Sequence, residues 1–191
     1  MSLSFHEATR VICEEVQNLL ATVDPEKVLS FIHMLHPEGS KRRFFFWARG
    51  RSFLILRGFA MRLMHLGHEV HIVGEVDCPS IVPGDILVVA SGSGSTGSVL
   101  LFAEKARKYG AEVVAILGRD TSPLHQIASY TIEFHPERAG QTVQLSASAG
   151  SGGTRFEHSL MIFCDACILS LVYDWKEKAY HDMMERHANL E

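Results

Sequence analysis

The chain has 191 residues, 47% of them hydrophobic and 21% charged. That composition belongs to an ordinary globular domain and excludes disorder, collagen-like repeats and coiled-coil rods. Eighteen Lys and Arg against 22 Asp and Glu leave a net charge of −4. There is thus no general attraction to nucleic acid or an anionic membrane, and an anionic ligand would need a local site.

The length predicts one domain over residues 1–191, large enough to bury a core without disulfide or metal staples. Asp165 and Asp174 interrupt the most apolar stretch, so no uninterrupted run reaches the roughly 18 residues of a membrane span. Glu7, Glu14 and Glu15 spoil the apolar core a secretion signal needs. Four scattered cysteines, Cys13, Cys78, Cys164 and Cys167, fit a reducing cytoplasm better than a disulfide framework. Cys164-Asp-Ala-Cys167 has redox spacing but lies inside a helical run, where two small core residues are the expected reading. His65, His68 and His71 span a helix end, Gly67 and a strand start, so their rings should not converge on a metal.

In chain order, Leu3 to Ala21 carries apolar residues at helical spacing. Asp24-Pro25-Glu26 supplies a cap, a first-position proline and a first-turn acid for a helix running to Leu35. These two helices form an N-terminal hairpin over 1–36. Strand and helix then alternate: a strand at Phe44 to Ala48, a helix from Ser52 to Leu66 closed by Gly67, and a strand at Val70 to Val73. Asp85 to Ala90 is a third strand, Ser98 to Tyr109 a helix, and Glu112 to Leu117 a fourth strand. Ser122 to Ala128 is a short helix and Tyr130 to Phe134 a fifth strand. Residues 146–153 read as a flexible loop. Phe156 to Lys178 reads as a long helix, apolar nearly all round and so buried or in a subunit interface. A last helix near Tyr180 to Arg186 and a tail complete residues 179–191.

Continuously apolar strands alternating with helices predict a parallel sheet covered on both faces. The fold class is therefore α/β, a three-layer doubly wound sandwich with five parallel strands in flavodoxin-like order, plus N- and C-terminal helices. Its ligand site should lie beyond the carboxyl ends of the strands, at the switch point between strands one and three.

Two loops meet that switch point. Ser91-Gly92-Ser93-Gly94-Ser95-Thr96-Gly97-Ser98 follows the third strand, with five hydroxyls in eight residues. Its glycines let backbone approach a ligand, and the next helix offers unpaired N–H groups and a positive dipole end. That is the chemistry of a phosphate cradle. Gly50-Arg51-Ser52 follows the first strand and opens its helix, though Ser52 could serve only as an N-cap. Gly92-x-Gly94-x-x-Gly97 also matches the dinucleotide fingerprint, with Glu112 as a ribose acid, but two strands precede it and hydroxyls are unusually many. A plain Gly/Ser connection is the third reading, while a P-loop fails for want of Gly-Lys-Ser/Thr.

Gly50-Arg51-Ser52, the helix segment 59–67, the Val-Gly-Glu at 73–75 and the serine loop 91–96 resemble the sugar isomerase (SIS) domain, most closely its 6-phospho-3-hexuloisomerase branch. The likeness extends to Gly153-Thr154-Arg155-Phe156-Glu157 and Arg186-His187-Ala188-Asn189-Leu190. It implies a homotetramer (or dimer) with shared active sites, interconverting D-arabino-3-hexulose 6-phosphate and fructose 6-phosphate without metal or cofactor. Ser52, Ser91, Ser93 and Thr96 would hold the phosphate, with Gly50, Arg51, Gly92 and Ser95 as further substrate-binding positions. Glu157 would be the base, and His187 the acid, across a subunit boundary. A non-catalytic sugar-phosphate-binding regulatory module, or an isomerase of another sugar phosphate, has the same cradle. Read from the residues alone, Thr154-x-x-Glu157 is also a capping box, His187 a histidine near a helix end, and His158 an alternative acid. The chain departs from the family pattern at Ala48-Arg49, Phe53, Gly97 and Ser151-Gly152.

Overall fold

The computed structural model describes residues 3–36, 42–139 and 154–189, with side chains at all of these except 154, 174–180 and 182. The loop expected at 146–153 lies outside the described residues. Strands β1 (Phe44–Ala48), β2 (Val70–Ile72), β3 (Ile86–Ser91), β4 (Glu112–Leu117) and β5 (Tyr130–Glu133) form one sheet in the order β2-β1-β3-β4-β5. Every pairing is parallel, with Phe46 opposite Val88 and Val88 opposite Val114 in the centre.

Side chains alternate between the two faces of a strand, so the continuous apolar runs feed two cores. Phe44, Phe46, Ala48, Ile86, Val88, Ala90, Val114 and Ile116 pack on one side. There they meet α1 (Phe5–Leu20), α2 (Pro25–Met34), α3 (Gly50–His65) and α6 (Thr154–Glu185). Phe45, Leu87, Val89, Val113, Ala115 and Leu117 face the other side, against α4 (Gly97–Lys108) and α5 (Pro123–Ile127). The result is the expected three-layer sandwich. Phe31, Phe44, Phe46, Leu56 and Leu63 are almost wholly buried, and each such side chain contributes about 1.5–3 kcal/mol of transfer free energy.

Local signals act as read. The Asp24 carboxylate accepts the Glu26 N–H at 2.9 Å, and Pro25 opens α2. Arg43 grips the buried Asp85 through Nε at 3.0 Å and Nη2 at 2.7 Å, while Asp85 also accepts the Val82 N–H. This pair pins the entry of β1 beside that of β3, and the Asp85 hydrogen bond holds the Arg43 guanidinium more firmly protonated still.

Two expectations need correction. First, α3 begins at Gly50, so Ser52 lies in its first turn and Arg49 is the N-cap residue; Gly50 sits in the left-handed region at φ +59°, which a glycine adopts without strain. Second, α6 is a single helix from Thr154 to Glu185, with no break near 179. No glycine or proline occurs between these residues, so nothing stops it. The expectation for α6 holds in that it is apolar on most faces, with one face in the core and apolar side chains also on the exposed face. Phe156, Leu160, Phe163, Cys164, Cys167, Ile168 and Leu171 are buried, while Met161, Ile162, Leu169 and Tyr173 are at least half exposed. Despite Asp165, the 155–173 stretch has mean hydropathy 1.4 and the length to cross a membrane, yet 44% of it is buried inside the protein. It is the core helix of this sandwich. Burial pushes the Cys167 thiol up to about 12 and Cys164 upward also, which suits inert packing groups.

Candidate functional site

The carboxyl ends of β1 and β3 diverge into the two loops at the switch point, and a cleft of about 820 Å³ opens there. Ser52, Ser91, Gly92, Ser93, Thr96 and Glu157 all line it. Five of these were expected as binding groups and one as the base, from three separate chain segments.

The serine loop is folded by its own hydroxyls. Ser91 Oγ lies 3.0 Å from Thr96 Oγ1 and accepts the Gly94 N–H at 3.0 Å. Ser93 Oγ accepts from the Ser95 N–H at 3.3 Å and the Ser95 hydroxyl at 3.1 Å. Thr96 is the N-cap residue of α4 but its side chain does not cap the helix. The first turn of α4 therefore has no side-chain acceptor, and its positive dipole end begins at Thr96, which lines the cleft. Gly92 and Gly118 lie under the ring of Phe156. A Cβ on Gly118 would stand 2.8 Å from the Gly92 carbonyl and 3.0 Å from Phe156 Cδ2. These glycines let the ends of β3 and β4 close together beneath the cleft floor.

Glu157, in the first turn of α6, is 3.1 Å from Arg51 Nη1 through Oε2. Its carboxylate is thus directed across to α3, and the Thr154 side chain of the expected capping box lies outside the described residues. Arg51 also reaches His158 Nε2 at 3.3 Å. Arg51 and His158 stand behind Glu157 rather than lining the cleft, and neither do Gly50 and Ser95.

His187 is not brought to the cleft. It stacks on His65 with ring centroids 5.0 Å apart, and Arg186 donates to the His65 carbonyl at 3.2 Å. His65 ends α3 and Arg51 lies in its first turn, and 14 residues of helix separate them by about 21 Å. The physical reason is the length of α6, which carries the tail to the opposite edge of the sheet. Burial and the facing His187 push the His65 imidazole pKa downward.

Several cleft residues escaped the sequence reading: Arg49, Gly118, Arg119, Asp120, Thr121 and Glu137. Their only available signal was position, immediately after strands β1, β4 and β5, where ligand loops belong. Asp120, His135 and Glu137 gather their donor atoms within 4.8 Å, the one such group of metal-ligating types among the described residues. His135 bonds Asp120, and Arg138 lies 3.7 Å from the same carboxylate, so its charge is already balanced from within the protein. His65, His68 and His71 diverge as expected: His68 stands edge-on to Phe44 and His71 lies by Phe45 and Glu69. The dinucleotide reading fails on geometry. Glu112 opens β4 at the edge of the sheet opposite the cleft and pairs with Arg42 at 2.7 Å.

An α/β sandwich with a serine-rich loop and a helix N-terminus at its switch point defines a binder of phosphorylated small molecules. The SIS domain model matches residues 39–151. A 3-hexulose-6-phosphate isomerase of Mycobacterium gastri is 38% identical over 95% of this chain and 88% of its own length. That of Bacillus subtilis is 34% identical over 94% and 95%. A crystal structure from Methanococcus jannaschii, for which a 3-hexulose-6-phosphate isomerase function was inferred, superposes with a TM-score of 0.79 at 31% identity, covering 97% of this chain and 99% of that one. The chain belongs to the SIS-domain family, alongside the 3-hexulose-6-phosphate isomerases.

Proposed function

We propose that this protein is a phosphosugar isomerase that interconverts D-arabino-3-hexulose 6-phosphate and fructose 6-phosphate. The observation that carries the reading is the convergence of Ser52, Ser91, Ser93 and Thr96 with Glu157 on one cleft. The hydroxyls and the α4 N-terminus hold the phosphate, and that remote binding energy places the sugar carbons against Glu157. From fructose 6-phosphate, Glu157 removes the C3 proton, giving a 2,3-enediol, and returns a proton to C2 as the carbonyl moves to C3. Arg51 orients the carboxylate from behind. A second group must carry the proton between the two oxygens, and a neutral imidazole is chemically suited to it.

His187 supplies that group from a neighbouring subunit. In its own chain it lies at the far end of α3, and it is exposed. Met161, Ile162 and Leu169 on α6, with Leu54 and Met61 on α3, form apolar surface suited to a homotetramer or dimer. The four free cysteines suit a reducing cytoplasm.

The decisive experiment is incubation with fructose 6-phosphate in deuterated water, followed by NMR. A 3-ketose product with deuterium at the exchanged carbon is expected. Clear binding without conversion or exchange would instead identify a regulatory binding module.

A further inference from the structure

Behind the serine loop lies a partly buried polar chain, centred on the buried Glu133, that does not line the cleft. Gly94 has φ +61°, and a Cβ there would stand 2.1 Å from Ser122 Oγ. The Gly94 carbonyl accepts the Leu124 N–H at 3.1 Å. Ser122 Oγ lies 2.9 Å from His125 Nδ1. On the other side of the ring, His125 Nε2 is 3.3 Å from Glu133 Oε1 without forming a hydrogen bond, and Lys27 Nζ is 2.7 Å from Glu133 Oε2. Lys27 belongs to α2, whose backbone is tied back to β5 because Tyr130 Oη donates to the Lys27 carbonyl at 2.6 Å. Glu133 is 8% exposed. Burial drives its carboxyl upward, but the Lys27 hydrogen bond, helped by Thr131 and the nearby charges, outweighs this and holds it below the ordinary carboxylate range.

The order Ser–His–Glu suggests a nucleophile, but Ser122 faces Gly94 and does not line the cleft. Its contact with Gly94 has a different consequence. A carboxylate facing Nε2 favours the proton on that nitrogen, which leaves Nδ1 to accept from the Ser122 hydroxyl. The hydroxyl is then fixed in one rotamer against Gly94, in the middle of the loop whose Ser91, Ser93 and Thr96 line the cleft.

Resting on the phosphosugar reading above, we propose that His125 is a positioning residue for the phosphate loop. With the Glu133 carboxylate, itself paired to Lys27, beside its far nitrogen, it locks Ser122 against Gly94 and so sets the spacing of Ser91, Ser93 and Thr96. It touches no substrate, and it couples the N-terminal helix α2 to the affinity of the cradle through side chains alone.

The test compares wild type, His125→Leu and His125→Asn. The asparagine amide can replace Nδ1 as a partner for Ser122, whereas leucine cannot. Inorganic phosphate is titrated calorimetrically, and KM and kcat are measured with fructose 6-phosphate. For His125→Leu the phosphate Kd and KM should rise together about tenfold with kcat within about twofold, and His125→Asn should recover most of the loss. Unchanged Kd and KM in a folded His125→Leu protein would overturn the proposal, as would a loss confined to kcat. If His125→Leu does not fold, Glu133→Gln and Lys27→Met carry the same test, with the same direction expected and the same result against it. Wild type that neither binds phosphate nor turns over would overturn the phosphosugar reading itself, a distinct outcome.

Discussion

Replacing Gly94 by alanine tests the geometry of the phosphate loop directly. An L-residue at φ +61° costs about 1–2 kcal/mol. The added methyl would also stand 2.1 Å from Ser122 Oγ, 2.4 Å from Ser122 Cβ and 3.4 Å from Leu117 Cδ2. Relieving such an overlap by shifting α5 away costs about 1–3 kcal/mol more. The two together make about 2–5 kcal/mol, well short of unfolding an ordinary domain but a large share of its stability. Gly50 provides the control, because its φ is +59° yet nothing lies within 4 Å of the site a Cβ would take. Gly50→Ala should therefore lose only the backbone part, about 1–2 kcal/mol. Urea unfolding followed by circular dichroism measures both, with the shift in midpoint at constant m giving each difference. Equal losses for the two variants would refute the claim that Ser122 packs hard against the loop.

Glu157→Gln should abolish turnover while leaving the inorganic phosphate Kd nearly unchanged, since the cradle is built from Ser52 and the serine loop rather than from α6; unimpaired turnover would remove Glu157 as the base. Mixing inactive Glu157→Gln with inactive His187→Ala protein under subunit exchange should restore activity if sites are shared, and no recovery would place both groups in one chain. Asp85→Ala removes the acceptor of Arg43 and of the Val82 N–H and should lower the urea midpoint at constant m, and an unchanged midpoint would remove this pair as a support for the entry of β1. For His68, burial lowers the imidazole pKa below its ordinary 6.5, so the unfolded chain takes up a proton that the native state resists. This contribution to stability is complete above the unfolded value and declines as pH falls below about 6.5. The acid-side decline should be smaller in His68→Phe, measured by urea melts at pH 8 and pH 5.5.

The five strands, their parallel sense and the position of the serine loop were legible from local patterns. Continuous apolar runs such as 86–90 admit only a strand covered on both faces, and hydroxyls with glycines before a helix are an anion site wherever that helix lies. Glu157 was singled out by resemblance rather than by its residue pattern, because a threonine three residues earlier explains it equally well as a cap.

What only the tertiary structure decided are relations between segments distant in the chain. Arg51 and Glu157 meet because α3 and α6 both start at the same edge of the sheet, which no local spacing encodes. Arg49, Arg119 and Asp120 enter the cleft for the same reason, as neighbours created by strand order. The placement of His187 went the other way, since a helix without a breaker carried it to the far end of α3. Local propensity and periodicity act over a few residues and specify the elements and the loops that carry chemistry. Which loops face one another depends on strand order and helix length, and these are settled by burying both faces of the sheet at once.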